Sequence, residues 1–286
     1  PLLTSSNWIW ADTDSIKRWS RTRYFVDKTI DFLHRNPDKP CFINLWPDDM
    51  HTPWVGGDDN DGKYEGGPNE EKSFVAVLKE YDRQIGRLLA EIKKMGIDEN
   101  TLVIFTSDNG PLPNFEQKRS VGLRGTKLSL YEGGIRMPFI VWQPKTIKAG
   151  IVDSESVVSA LDLLPSFVKL AKGKLPNGYE SNGTNILKSF KGKPVIRKSS
   201  LFWEYGRNET SFKYPPHKQD RSPSLAIRNG KYKLLMNSTG EDLALYDLLK
   251  DPKEQHNIAS NEQKITNQLQ QELSNWWKGI PRLELK

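Results

Sequence analysis

Cysteine is nearly absent from this sequence. Cys41 stands alone in 286 residues, so an internal disulfide is excluded. The segment around it, Pro40-Cys41-Phe42-Ile43-Asn44-Leu45, reads as a buried strand, which makes Cys41 a small core residue rather than a nucleophile. No run of about 18 apolar residues occurs, so no membrane span is expected. Charge of one sign is not gathered into a block. The 42 Lys+Arg and 36 Asp+Glu residues leave a net +6, and no nucleic-acid reading motif accompanies them, so a nucleic-acid partner is not expected.

What is present suits a globular chain, with 36% hydrophobic and 27% charged residues. Its length fits one large domain, or one with a smaller domain appended. Phe25, Val26, Ile30 and Leu33, with Trp19 before them, have near-helical spacing that Pro37 to Pro40 interrupts. Cys41 to Trp46 follows as the short apolar strand, then the turn-rich stretch Pro47 to Gly67. Between Glu70 and Met95, the residues Phe74, Leu78, Tyr81, Ile85, Leu88, Ile92 and Met95 predict an amphipathic helix that Gly96 closes. Thr101 to Thr106 reads as a strand buried on both faces of an α/β sheet.

Pro138 to Trp142 predicts another strand, and Ser159 to Lys172 a helix with Asp162 as N-cap before Pro165. A Gly-, Asn-, Lys- and Pro-rich stretch from residue 173 to Pro194 places a boundary between domains 1–195 and 196–286. Beyond it, Leu201 to Tyr205, Leu225 to Arg228, Tyr232 to Met236 and Leu243 to Tyr246 predict short strands, with a turn at Asn229-Gly230. Ser260 with Gln263 forms a capping-box pattern before a last helix. The expected packing is a small antiparallel sheet covered by that helix.

Ser107-Asp108-Asn109-Gly110 ends the Thr101 to Thr106 strand, where open α/β sheets gather ligands. Asp108 and Asn109 are hard oxygen donors of the kind Ca²⁺ or Mg²⁺ takes, although Asp-Asn-Gly is also a common turn sequence. Lys127 in Gly122-Leu123-Arg124-Gly125-Thr126-Lys127 can offer a cation to an anion, while a solvated lysine is the commoner outcome. His51, in Asp49-Met50-His51-Thr52-Pro53, can donate a hydrogen bond or proton near neutral pH. A lone loop histidine is more often a bystander.

The order of these segments, with Tyr131-Glu132-Gly133-Gly134-Ile135-Arg136-Met137-Pro138 after Gly125-Thr126-Lys127, resembles the sulfatase family of the alkaline-phosphatase-like superfamily. The tail Ala226-Ile227-Arg228-Asn229-Gly230-Lys231-Tyr232-Lys233-Leu234, then Leu245-Tyr246-Asp247-Leu248 and Asp251-Pro252 to Asn257, is similar to that family's C-terminal sheet. The resemblance implies an α/β fold: part of an alkaline-phosphatase-like sandwich with a largely parallel or mixed sheet, plus the small antiparallel sheet. It implies sulfuric-ester hydrolysis, with Asp108 and Asn109 as ligands to Ca²⁺ in preference to Mg²⁺. Lys127 would hold a sulfate oxygen, and His51 would contact the leaving-group side and protonate the departing alcohol. Arg124 and Arg136 read as structural or substrate-edge residues. A sulfated small molecule or glycan is the implied partner, and periplasmic, secreted or lysosomal placement is usual in the family.

The sequence departs from the family in two ways. It holds no Cys/Ser-x-Pro-x-Arg motif, so the formylglycine nucleophile is expected only in an N-terminal half outside these residues. The early paired aspartates are missing as well. Asp48-Asp49 and Asp58-Asp59 fall around His51 and read as solvated or substrate-facing. This half-site alone is therefore expected to bind Ca²⁺ weakly, hydrolyse no sulfate ester, and expose an apolar face or open sheet edge until the N-terminal half completes it.

A rival reading is a phosphoester or phosphonate hydrolase of the same superfamily, against which the four histidines weigh. Another is a non-catalytic module gripping sulfated glycans, with Trp46 or Trp54 available for sugar stacking. Loops 52–67 and 207–222 are expected to border the leaving group. The Asn-x-Ser/Thr sites at Asn182, Asn208 and Asn237 match chance and do not establish secretion.

Overall fold

Apolar spacing accounts for the two long helices at the start of the chain. The structure, a computed structural model, describes residues 21–54, 69–205 and 217–281. Trp19, Asp58-Asp59, Asn208 and most of the 52–67 and 207–222 loops lie outside the described residues. Contacts divide the chain into two units, Pro1–Thr101 and Leu102–Lys286.

In the first unit, α1 (Arg21–Arg35) and α2 (Glu71–Lys94) pack together. Helix α1 buries Val26 and Thr29, and α2 buries Ser73, Val77, Gln84, Leu88 and Ile92. The core-facing line of α2 thus runs slightly off the apolar repeat, leaving Leu78 42% exposed. Arg87 of α2 reaches Asp27 of α1 at 2.5 Å. The expected glycine stop is present. Gly96, at φ 70°, donates to Lys93 O at 2.9 Å and Ile97 donates to Ile92 O at 3.3 Å, the paired bonds of a Schellman end.

The expected strand Cys41 to Trp46 does not form. Cys41 is exposed, and Phe42 and Trp46 are 69% and 79% exposed. An apolar run becomes a strand only by pairing its backbone groups with a neighbour. Among the described residues, no strand is paired with this run.

The second unit opens with β1 (Val103–Thr106), paired antiparallel with β2 (Phe139–Trp142). The α/β class holds, and an antiparallel pair is compatible with a mixed sheet. Among the described residues, however, β1 has no parallel neighbour and is half-buried rather than buried on both faces. Between the two strands lies the short helix α3 (Glu132–Ile135). Helix α4 (Leu163–Leu170) has Asp162 at its N-cap position, as expected, though without a side-chain cap bond, and it follows a single-turn 3-10 segment whose N-cap is Ser159. Asp162 completes the box from the third position. Its carboxylate takes the N–H groups of Ser159 and Thr184, both at 2.7 Å, and pairs with buried Arg197.

The four predicted C-terminal strands are all present as β3 (Leu201–Glu204), β4 (Leu225–Asn229), β5 (Tyr232–Met236) and β6 (Ala244–Asp247), antiparallel in that order. Gly230 takes φ 54° at the first central position of the two-residue β4–β5 loop, as a type II′ hairpin turn requires. Strand alternation then sorts the side chains onto two buried faces. Leu225, Ile227, Leu234, Met236 and Leu245 meet Leu269 and Leu273 of α5 (Gln263–Gly279). The Ser260–Gln263 capping box is not formed, because Ser260 turns to Asn261 and the N-cap is Glu262. Ala226, Leu235, Ala244 and Tyr246 face the other way, against Leu130 and Tyr131. The sheet is therefore covered by a helix on one face and by the loop before α3 on the other.

Candidate functional site

His51 belongs to the first unit and sits in a turn tied to the start of α1. Asp49, 2% exposed, accepts the N–H of Thr22 at 3.1 Å, and Asp48 pairs with Arg21 at 3.0 Å. Carboxylates suit a helix N-terminus, where the first N–H groups lack intrahelical partners. The expectation that Asp48-Asp49 is solvated or substrate-facing is thus corrected: this pair is an anchor. The far side of the turn is held by Trp54. It is 1% exposed, donates Nε1–H to Met50 O at 2.9 Å, and meets Phe74 edge-on at 5.2 Å. Buried in this way, Trp54 offers no face to a sugar.

His51 itself is exposed, with Nδ1 at 2.7 Å from Thr52 O. A carbonyl oxygen only accepts, so Nδ1 carries the hydrogen in this contact. Burial, with the Asp49 charge adding to it, pushes the nearby Tyr81 phenol up.

Asp108, Asn109 and Lys127 belong to the second unit, where main-chain contacts clasp their loops together. Gly110 donates to Gly134 O at 2.8 Å, Lys127 N–H to Pro111 O at 2.7 Å, and Gly133 N–H to Arg124 O at 2.7 Å. The backbones touch so closely that side chains are excluded. A Cβ on Gly110 would stand 2.0 Å from Gly133 O, and one on Gly133 would stand 2.1 Å from Gly125 O. This explains the Gly-Gly of the Tyr131 to Pro138 motif. It is where the Asp108-Asn109 turn and the Lys127 loop rest.

Asp108 is exposed and Asn109 half-buried. The Asn109 amide donates Nδ2 to Gly110 O at 3.1 Å, which leaves Oδ1 as its ligating atom. These two donors fit a hard cation in kind. Two donors are fewer than the roughly six to eight oxygens Ca²⁺ takes, and among the described residues there is no group of three or more His, Cys, Asp or Glu able to hold a metal. Lys127 is half-buried, on the loop that the clasp secures.

The sequence reading missed Glu132, Lys233 and Glu254. Lys233 is 0% exposed, with its Nζ 2.9 Å from Glu132 Oε1 and 2.9 Å from Glu254 Oε1. Glu254 Oε2 also accepts the N–H of Glu132 at 2.6 Å. Burial pushes the Glu132 carboxyl up, but Lys233, helped by Arg228 and Arg136, outweighs it and holds the group below the usual range. For Glu254, burial and the Glu132 charge prevail over Lys233, so its carboxyl is pushed up. A lysine inside a strand that otherwise reads Leu-Leu-Met was the available signal. Its partners could not be found from spacing.

Arg124, expected as a structural or substrate-edge residue, is tied into the C-terminal sheet. It donates to Tyr246 OH at 3.0 Å and Glu254 O at 2.9 Å, and lies 3.9 Å over the Tyr131 ring. Burial pushes the Tyr131 phenol up to about 12 despite that cation. Arg136 is largely exposed, 3.9 Å from Glu132. An open depression of about 650 Å³ lies beside the same loop, lined by Glu116, Leu123, Arg124, Gln219, Lys253 and Gln255 among others.

The chain is similar to known proteins. The family profile described as Sulfatase matches residues 3–174, and the one described as N-sulphoglucosamine sulphohydrolase, C-terminal, matches residues 126–278. Human arylsulfatase A is 30% identical over 244 residues, which is 77% of this chain and 45% of that protein. The N-acetylgalactosamine-6-O-sulfatase of Bacteroides thetaiotaomicron is 26% identical over 269 residues, 85% of this chain and 48% of the relative. The crystal structure of Ps i-CgsB in complex with k-i-k-neocarrahexaose is similar with a TM-score of 0.71 at 25% identity, covering 89% of this chain and 54% of that one. The chain spans about half the length of the curated relatives it matches. His51, Asp108, Asn109 and Lys127 all lie within the first match, and the chain belongs to the sulfatase family.

Proposed function

We propose that these residues supply part of the active site of a sulfuric-ester hydrolase acting on a sulfated carbohydrate. The observation that carries this reading is the glycine clasp, which secures the Asp108-Asn109 turn and the Lys127 loop to one backbone seat. Lys127 would hold a sulfuryl oxygen through its ammonium group, and Asp108 and Asn109 would contribute oxygens to a Ca²⁺ site. When bound, that cation supplies charge neutralisation at the sulfate oxygens. His51, with Nδ1 committed to Thr52 O, would offer a proton from Nε2 to the departing alcohol.

The sugar class draws support from the relative named for N-acetylgalactosamine-6-O-sulfate hydrolysis and from the neocarrahexaose complex. Within these 286 residues there is no Cys/Ser-x-Pro-x-Arg motif, so the nucleophile would come from outside them and they would hydrolyse nothing unaided.

The test is sulfate release from aryl sulfates and sulfated oligosaccharides by the full gene product. Lys127→Ala should lower kcat/KM about 100-fold or more, the scale of losing one charge-stabilising group. Asp108→Ala should weaken Ca²⁺ binding in a calorimetric titration. Turnover insensitive to both changes, or phosphate esters cleaved in preference to sulfates, would overturn the reading. Turnover by the 286-residue chain alone would overturn the half-site.

A further inference from the structure

We propose that a row of side chains across the C-terminal sheet, Arg228, Lys233 and Tyr246, is a positioning device for the Asp108-Asn109 turn and the Lys127 loop, acting through Glu132 and Glu254. What is positioned rests on the sulfatase reading above. The coupling itself is a property of the second unit.

The antiparallel register places Lys233 opposite Arg228 on β4 and opposite Tyr246 on β6. Directly paired residues share a face, so all three point toward the loop before α3. Each takes hold of it. Lys233 pairs with Glu132 and Glu254, Tyr246 accepts from Arg124, and Arg228 lies 3.9 Å from Glu132 Oε2. Glu254 joins both ends of the segment from Arg124 to Glu132. Its carbonyl takes the Arg124 guanidinium at 2.9 Å and its carboxylate takes the Glu132 N–H at 2.6 Å. Lys127 lies between these two fixed points.

The path continues to the proposed ligands by main chain alone. Glu132 begins the turn in which Gly134 accepts the Gly110 N–H, and Gly110 directly follows Asp108-Asn109. A buried ammonium shared by two carboxylates is a poor device for stability, because apolar residues of similar volume serve as well or better. It does fix two carboxylates at set points, which apolar packing does not. Glu254 even keeps a left-handed φ of 54° to do so, a conformation uncommon outside glycine.

Amide hydrogen exchange on the 286-residue chain tests this without reference to turnover, so its failure is distinct from failure of the sulfatase reading. Glu254→Ala removes the acceptor of Glu132 N–H while keeping the carbonyl that holds Arg124. Exchange at Gly110 and Lys127 should then rise at least about tenfold beyond any rise in the β4–β5 ladder, since only a local opening frees the clasp without the sheet. Glu254→Gln, which keeps an acceptor oxygen, should restore part of that protection. Unchanged rates at Gly110 and Lys127, or rates rising only in step with the ladder, would overturn the proposal. Should the variants fail to fold, the wild-type chain decides in a series of sub-denaturing urea concentrations. Gly110, Lys127 and Gly133 must share one opening isotherm, and separate isotherms refute the coupling.

Discussion

Gly110 donates its main-chain N–H to the carbonyl of Gly134 at 2.8 Å, and a methyl group added to Gly110 would stand 2.0 Å from the carbonyl oxygen of Gly133. The turn bearing Asp108 and Asn109 is therefore seated by direct backbone contact. Any side chain at this point must push the two loops apart.

Gly110→Ala is expected to destabilise the chain by ~1–3 kcal/mol, the usual range for overpacking. For a chain of this size each kcal/mol lowers the melting temperature by about 2–4 °C. Differential scanning calorimetry reads the shift directly. An unchanged melting temperature would mean that the clasp yields without strain.

Lys233→Met strands two buried carboxylates and should cost about 3–5 kcal/mol, the range for breaking a buried ion pair from one side. Adding Glu132→Gln should cost less than the sum of the single changes, because the partners are coupled. Urea midpoints of the two single variants and the double variant measure this. Additive losses would refute a shared network.

The glutamates should leave opposite marks on the pH dependence of stability. Glu132 is held below the ordinary glutamate value of 4.5. Its stabilising contribution is fully present above that value and is lost as pH falls through the lower, folded-state pKa. Glu254 is pushed above 4.5. Ionising it works against the folded state, so stability declines as pH rises from 4.5 through the raised pKa. Urea midpoints taken between about pH 3 and pH 8 should show a shallower acid limb in Glu132→Gln, and no decline above 4.5 from this source in Glu254→Gln.

Asp49→Ala should cost about 1–2 kcal/mol by removing the acceptor at the start of α1, with thermal unfolding as the readout. Asp49→Asn should lower the Tyr81 phenol pKa, because the Asp49 charge adds to the effect of burial there. An ultraviolet titration of the tyrosines that shows no change would remove Asp49 as a cause.

Wherever residues act through local periodicity, the sequence was readable. Short apolar runs separated by turn residues placed all four C-terminal strands, helical spacing placed α1 and α2, and Gly96 marked the end of α2. The roles proposed for Asp108, Asn109, Lys127 and His51 rest on residue type, order and the family resemblance. Features that depend on distant partners were read wrongly or missed. Cys41 to Trp46 has strand composition, yet no described strand pairs with it. Asp48-Asp49 looks solvent-facing until α1 presents the Thr22 N–H and the Arg21 guanidinium to it. Lys233 meets Glu132 and Glu254 across sequence separations of 101 and 21 residues. Side-chain parity along a strand is local, and it made Lys233 point to one face. Which carboxylates wait on that face depends on how the strands pair and where the loop from Arg124 to Glu132 packs, and no local pattern encodes that.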